Sequence, residues 1–122
     1  MSKIVVIEED GAMRVLISEW LVSEGHLVRS LPLIGGGFTT AADATVDLVV
    51  LDLPHPRSRS SGSARAVHVA YPHAAIIGIS TQVTRSLDNG SEAARSLGVK
   101  RLLAKPFTRE ELLGAVTAML AV

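Results

Sequence analysis

The sequence predicts a single α/β domain in which crossover helices cover a parallel β-sheet. Short apolar runs rich in β-branched residues recur along the chain, separated by stretches with helical spacing or by turn residues. The 122 residues are enough for one buried core and too few for two, so we expect one domain over residues 1–122. Hydrophobic residues make up 48% of the chain and charged residues 20%, which is typical of a folded globular protein.

Five short apolar runs are predicted to form the strands. They consist mainly of Val, Ile and Leu, as is typical of strands that are buried on both faces of a parallel sheet. In chain order these runs are residues 4–7, 26–28, 48–51, 75–79 and 102–104.

Amphipathic spacing predicts a helix after the first strand and another at the end of the chain. The first helix is expected to end near Gly25, and its apolar face consists of Met13, Leu16, Ile17, Trp20 and Leu21. The last helix opens with Thr108 and Glu111 at the spacing of a capping box. Its apolar side carries Leu112, Leu113, Val116 and Leu120.

The other segments between the predicted strands are expected to form less regular helices. Ala93, Ala94 and Leu97 before Gly98 indicate one more helix. Glycines at 35–37 interrupt the second interval, and residues 54–63, rich in Ser, Arg, Pro and Gly, are predicted to form a loop in the third. We therefore expect both intervals to be short or irregular.

Charge balance and the lack of cysteine exclude several classes of protein. Twelve basic residues balance 12 acidic ones and only 3% of residues are aromatic, so direct nucleic-acid binding is not indicated. Without cysteine there are no disulfides, zinc–thiolate sites, iron–sulfur clusters or cysteine nucleophiles. No apolar run is long enough to span a bilayer, so we expect a cytoplasmic protein without membrane association.

Polar residues follow four of the five predicted strands, at the edge where open parallel sheets bind ligands. Clustered carboxylates repel each other unless a cation lies among them, and Mg²⁺ prefers oxygen ligands. A lysine and a hydroxyl beside a magnesium-bound carboxylate can stabilise a phosphoryl group, with Asp52 as the nucleophile. The strand-end residues are Glu8, Glu9 and Asp10, then Asp52, then Ser80 and Thr81, and finally Lys105.

Four segments, in order and at near-family spacing, give the whole chain a resemblance to a known family. Residues 3–10, 47–53, 76–81 and 97–107 resemble the acidic, phosphoacceptor, hydroxyl and Lys-Pro-Phe segments of response-regulator receiver domains in two-component signalling. The family includes single-domain chemotaxis-type receivers. The resemblance implies a doubly wound (βα)5 flavodoxin-like sandwich whose five-stranded parallel sheet has the order 2-1-3-4-5.

The resemblance also implies a role for each site residue. Asp52 is the phosphoacceptor, Ser80 the switch hydroxyl and Lys105 the phosphate contact. The cofactor is Mg²⁺, and its implied ligands are Glu8, Glu9, Asp52 and the backbone carbonyl of Pro54.

Three positions depart from the family pattern. Glu9 replaces the usual Asp, which leaves open whether it binds the metal through water or shares the task with Asp10. Thr81 is bulkier than the usual small residue, and Leu102 stands where many receivers have an aromatic switch. These departures motivate one alternative, a pseudo-receiver that binds proteins without being phosphorylated.

Other functions have weaker support. The glycines at 35–37 lack the rest of a nucleotide-binding motif, and Pro54 stands where a haloacid-dehalogenase-type phosphatase needs its second Asp. Arg57 and Arg59 are interpreted as part of a solvated loop. No metal-ligand spacing connects the four histidines, which are His26, His55, His68 and His73.

The resemblance implies a signalling receiver, not an enzyme in the usual sense. Its expected phosphodonor is a phosphohistidine of a histidine kinase or histidine phosphotransfer protein. The expected output is contact with a downstream protein or an effector domain outside this sequence, and phosphorylation could induce dimerisation.

Overall fold

The computed structural model describes residues 2–32, 42–53, 60–80 and 99–120. These residues alternate between strand and helix along most of the chain. The elements are β1 (Lys3–Glu8), α1 (Gly11–Ser23), β2 (Leu27–Pro32), β3 (Leu48–Asp52), α2 (Ser60–Ala70), β4 (Ala75–Ser80), β5 (Arg101–Ala104) and α3 (Arg109–Leu120).

The five strands form one parallel sheet in the order β2-β1-β3-β4-β5, which confirms the predicted fold class. All five predicted strands are present. The second is longer than predicted, because β2 lies at the sheet edge and its exposed Arg29 and Ser30 interrupt the apolar pattern.

Both faces of the sheet are buried, in two separate apolar cores. Alternate residues of β1 and β3 point to opposite faces, so each central strand contributes to both cores. One core contains Val5, Ile7, Val49 and Leu51, together with Tyr71 beyond α2. The other contains Ile4, Val6, Leu48 and Val50, packed against α1 and α3.

Helix α1 begins after a capping residue and ends at the predicted signal. Asp10 caps its N-terminus, since its carboxylate accepts hydrogen bonds from the backbone N–H groups of Ala12 and Met13. Gly25 follows the helix with φ of 87°, the left-handed conformation that glycine adopts readily. Of the predicted apolar face, Ile17 and Leu21 are buried and Met13 and Trp20 pack on the core, whereas Leu16 is 41% exposed.

Helix α3 has the predicted capping box. The Thr108 N–H donates to Glu111 Oε1 at 2.8 Å, and the Glu111 N–H donates to Thr108 Oγ1 at 3.1 Å. Leu112 and Val116 of its predicted apolar side are buried, and Leu113 and Leu120 pack on the same core.

Helix α2 corrects the predicted loop at residues 60–63, because the helix already begins at Ser60, whereas residues 54–59 lie outside the described residues. Buried Val67 and Ala70 anchor this helix to the sheet, and that tertiary contact outweighs the poor helix propensity of its Ser and Gly residues. The glycines at 35–37 and the helix indicated around 93–98 lie outside the described residues.

Among the described residues, no helix has the length and apolar character required to cross a bilayer.

Candidate functional site

The central strand β3 and its neighbour β1 end side by side in carboxylates. β1 and β3 are paired through Ile7 and Leu51, so the next residues, Glu8 and Asp52, emerge together at the carboxyl edge of the sheet. Both residues are buried, with Glu8 0% and Asp52 6% exposed. Buried carboxylates are unfavourable unless hydrogen-bonded or paired with a cation, so this edge requires a positive partner.

Lys105 is that partner. Its Nζ donates to Glu8 Oε1 at 2.7 Å and to Asp52 Oδ1 at 3.2 Å, and its side chain is only 16% exposed. The backbone N–H of Lys105 donates to the Ser80 carbonyl at 2.9 Å, which extends the pairing of β4 with β5 past the end of β5. The lysine is therefore positioned from both its backbone and its side chain.

Phe107 holds the segment after Lys105 against α1. Its ring meets that of Trp20 edge to face, with 6.5 Å between ring centroids and 65° between planes. Both rings pack on the apolar core beneath α1 and α3. Packing at Phe107 thus restricts the loop that carries the ammonium group.

The electrostatics of the site reflect two buried carboxylates sharing one ammonium. Burial and the nearby Asp52 carboxyl group raise the pKa of Glu8, although Lys105 and the Asp10 N–H act in the opposite direction. Burial disfavours the charged form of Lys105, but its hydrogen bond to Glu8 and the charges of both carboxylates outweigh this and raise its pKa. A second positive charge at this edge would stabilise Glu8 as a carboxylate.

Ser80 ends β4 beside this group. It is 2% exposed and lies opposite Ala104 of β5, one residue beyond the Asp52–Ile79 pair of β3 and β4. The structure therefore brings the predicted Glu8, Asp52, Ser80 and Lys105 to one edge of the sheet.

The acidic run at 8–10 divides into three roles. Glu8 is buried in the site, the Glu9 side chain is exposed, and Asp10 caps α1 while its own N–H donates to Glu8 Oε2 at 3.1 Å. The Asp10 carboxylate is thus engaged by the helix. An Asp directly before an amphipathic helix is a typical N-cap signal.

Arg14 is a neighbour of the site that the sequence analysis did not identify. Its Nη1 donates to the backbone carbonyl of Glu8 at 2.8 Å, which links the second turn of α1 to the end of β1. A cation placed one helical turn into α1, after an acidic strand end, is the only signal in the sequence for this contact.

The donor chemistry fits Mg²⁺ in part. Glu8 and Asp52 are hard oxygen donors with more negative charge than Lys105 alone neutralises. No group of three or more His, Asp or Glu side chains suited to a metal occurs in the described part of the chain. The predicted ligand Pro54 lies outside the described residues, and so does Thr81, the residue after Ser80.

Leu102, which stands where many receivers have an aromatic residue, is tightly packed. This side chain is fully buried, and a Cβ built on Gly78 would lie 3.1 Å from its Cδ2 and 2.7 Å from Leu53 Cδ1. Glycine at 78 therefore permits a close approach of side chains near the end of β3, the strand that carries Asp52.

Solved structures with this fold are response-regulator receivers. A CheY-like receiver domain protein from Methanospirillum hungatei JF-1 has a TM-score of 0.78 and 18% identity, covering 99% of this chain and 94% of its own. The non-phosphorylated HemR receiver domain from Leptospira biflexa has a TM-score of 0.74 and 19% identity, and the match covers 100% of this chain and 96% of the HemR chain. The chemotaxis protein CheY4 from Vibrio cholerae has a TM-score of 0.70 and 21% identity, and the match covers 98% of this chain and 99% of the CheY4 chain.

No protein-family model and no curated protein sequence matches the chain, so the likeness is one of structure. The order of the strands, the helices and the extent of the alignment all agree with those solved structures. The chain therefore has the CheY-like fold of response-regulator receiver domains.

Proposed function

We propose that this protein is a response-regulator receiver that accepts a phosphoryl group on Asp52. The observation that carries the proposal is the buried contact of Asp52 with Lys105 and of Lys105 with Glu8, at the carboxyl edge of a receiver fold. The phosphodonor is a phosphohistidine of a histidine kinase or a histidine phosphotransfer protein. The output is protein–protein interaction.

Asp52 is the nucleophile of the proposed transfer. A carboxylate oxygen attacks phosphorus, the P–N bond of the donor breaks, and its electron pair returns to the histidine imidazole. The product is an aspartyl phosphate with the phosphoryl group intact. Lys105, 3.2 Å from Asp52 Oδ1, places its positive charge beside the transferring group.

Magnesium is the proposed cofactor, held by Glu8, Glu9 and Asp52 together with the backbone carbonyl of Pro54. When bound, it supplies positive charge that stabilises the phosphoryl oxygens. Glu8 is suited to this role because its carboxylate is already buried beside the acceptor, and Glu9 is the next residue along the chain.

Phosphorylation changes the charge that Lys105 and Ser80 meet. The phosphoryl group carries roughly −1.5 to −2 charges at neutral pH, judged by other phosphoryl groups, and it replaces the single negative charge of the Asp52 carboxylate. Lys105 then has a stronger anionic partner than the Asp52 carboxylate, and the Ser80 hydroxyl has an acceptor at the adjacent strand end. Displacement of these two residues shifts the loops that follow β4 and β5 and so alters the surface offered to a partner.

The buried ion pairs favour this function over that of a pseudo-receiver. A protein that only binds partners gains little from an ammonium held between two buried carboxylates, because such groups rarely add net stability. The same arrangement is useful when a phosphoryl group must be stabilised.

The test is intact-mass measurement after incubation with acetyl phosphate and Mg²⁺. We expect a gain of one phosphoryl group that mild base removes, and no gain with EDTA or in Asp52→Asn. Glu110→Gln is the matched control, because it removes an exposed carboxylate on α3 far from the acceptor in sequence. Equal labelling of Asp52→Asn would refute the acceptor, and an unlabelled wild-type protein would favour the pseudo-receiver.

A further inference from the structure

A cavity of about 630 Å³ lies at the edge of the sheet opposite Asp52. Its lining includes Asp47 before β3, Ala75 at the start of β4 and Lys100 before β5, so it is at the amino edge of the strands. Met119 and Leu120 at the end of α3 close one side. This volume is in the range of small-molecule sites in proteins.

The backbone around the cavity is fixed by hydrogen bonds between elements. The Asp47 N–H donates to the Lys3 carbonyl at 2.8 Å, and the Asp47 carbonyl accepts from Ala75 N–H at 3.1 Å. The Lys100 N–H donates to the Ile76 carbonyl at 2.9 Å. The backbones of the two charged lining residues are therefore held on either side of β4, at the starts of β3 and β5, before any ligand binds.

The lining carries one carboxylate and one ammonium that form no ion pair with each other, beside the imidazoles of His68 and His73. Asp47 Oδ2 accepts from the Lys3 backbone N–H at 2.9 Å, so one carboxylate oxygen is occupied and the other is not engaged by any described residue. Within the described ranges, no ion pair within 4.0 Å joins Lys100 to Asp47 or to another carboxylate. Both side chains are exposed to the cavity and to solvent.

The third part of the lining is apolar. Met119 and Leu120 are half-buried, and Ala74 is buried. An apolar wall beside two separated charges is complementary to a ligand that has an anionic group, a cationic group and an apolar body.

We propose that this cavity binds a free α-amino acid with an apolar side chain. Its carboxylate pairs with Lys100, its ammonium with Asp47 Oδ1, and its side chain lies on Met119 and Leu120. A ligand with only one of the two charges leaves the opposite protein charge without a partner, so it gains less on binding. The site shares no residue with the phosphoacceptor edge and extends the function proposed above.

The test titrates the full-length, 15N-labelled protein with L-leucine and follows backbone amide shifts. Two probes remove one charge each: 4-methylpentanoate lacks the ammonium, and 3-methylbutylamine lacks the carboxylate. We expect L-leucine to shift the amides of Asp47, Lys100 and Leu120, and each single-charge probe to bind at least about fivefold more weakly. Titration to about 10 mM covers the affinity range of so small a ligand.

Variants separate the two charges on the protein. Lys100→Gln and Asp47→Asn are each expected to weaken L-leucine binding at least about fivefold. The side-chain amide of Asp47→Asn keeps an acceptor for the Lys3 N–H and so preserves the local fold. Arg65→Gln, which removes an exposed cation on α2 outside the cavity, is the matched control and is expected to bind as the wild type does.

The following outcomes would overturn the proposal. Equal affinity of 4-methylpentanoate and L-leucine would show that the ammonium is not recognised, and no shift with any probe would remove the site altogether. Equal weakening by Arg65→Gln would indicate unspecific charge effects. Because the probe series uses the wild-type protein, it decides the question even if a variant fails to fold, and Asp52→Asn must bind L-leucine normally.

Discussion

Lys105 determines the charge balance at the carboxyl edge of the sheet, beside Glu8 and Asp52. It is the described cation that contacts both buried carboxylates, and its side chain is largely withdrawn from water. Removing one partner from a buried ion pair leaves a charge without compensation, which is more unfavourable than losing the pair as a whole. The stability of the domain and the chemistry proposed for Asp52 therefore depend on the same side chain.

We predict that Lys105→Ala destabilises the domain by about 3 kcal/mol at pH 7, because Glu8 and Asp52 are then buried without their cation. Urea unfolding in the presence of EDTA measures the change. Glu8→Gln in the Lys105→Ala background removes one of the two carboxylate charges and is expected to restore at least half of the loss. No restoration in the double variant would show that Lys105 acts through packing and not through charge.

Residue identities at strand ends were the most predictable part of the site. Glu8, Asp52, Ser80 and Lys105 follow buried runs, and parallel strands bring their carboxyl ends to one edge. The contact of Arg14 with the Glu8 carbonyl was not predictable, because it depends on the angle at which α1 leaves the sheet. Glu9 is exposed in the structure, and its part in metal binding stays a prediction.

At the scale of elements, α1 depends on its cap. We predict that Asp10→Ala lowers stability by about 1 kcal/mol, because the N–H groups of Ala12 and Met13 lose their acceptor. Asp10→Asn keeps a capping oxygen and is expected to change stability by only a few tenths of a kcal/mol. Thermal or urea unfolding compares the two, and an equal loss in both would assign the effect to charge instead of capping.

Two glycines provide an opposed pair of predictions. A methyl group at Gly78 in β4 would meet Leu53 and Leu102 at 2.7 and 3.1 Å, so Gly78→Ala is expected to cost about 1–3 kcal/mol through overpacking. A Cβ at Gly114 in α3 has no atom within 4 Å, so Gly114→Ala is expected to add about 0.5–1 kcal/mol. Urea unfolding checks both signs, and a neutral Gly78→Ala would mean that the core can relax.

The elements were predictable where a local signal coincides with burial. The capping box of α3 and the glycine after α1 are such cases, and both lie where the sequence indicates. Helix α2 was partly missed because Ser60 and its neighbours favour turns, and only the packing of Val67 and Ala70 against the sheet makes the segment helical.

At the scale of the whole molecule, the segment before β3 connects distant parts of the fold. Asp43 accepts a hydrogen bond from Lys3 Nζ of β1 at 2.7 Å, and its backbone N–H donates to the Ala70 carbonyl at the end of α2. The hydrogen bonds from Lys3 and then from Thr45 hold the pKa of Asp43 well below its ordinary value of 3.8.

This lowered pKa predicts a contribution of Asp43 to stability that depends on pH. The unfolded chain binds the proton more tightly than the folded one, so the contribution is present above pH 3.8 and is lost as the pH falls below it. Asp43→Asn should therefore lose less stability than the wild type on acidification, and high salt should reduce the difference. Urea midpoints between about pH 6 and pH 3 measure it, and parallel curves for the two proteins would contradict the assignment.

The contact between Lys105 and Glu8 also has a consequence for biosynthesis. It joins residues 97 positions apart, and the contact with Asp52 spans 53, so neither forms until the last strand has joined the sheet. A ribosome-bound chain exposes Asp52 well before it can supply the ammonium. On the function proposed above, the site for the phosphoryl group is complete only after β5 has joined the sheet.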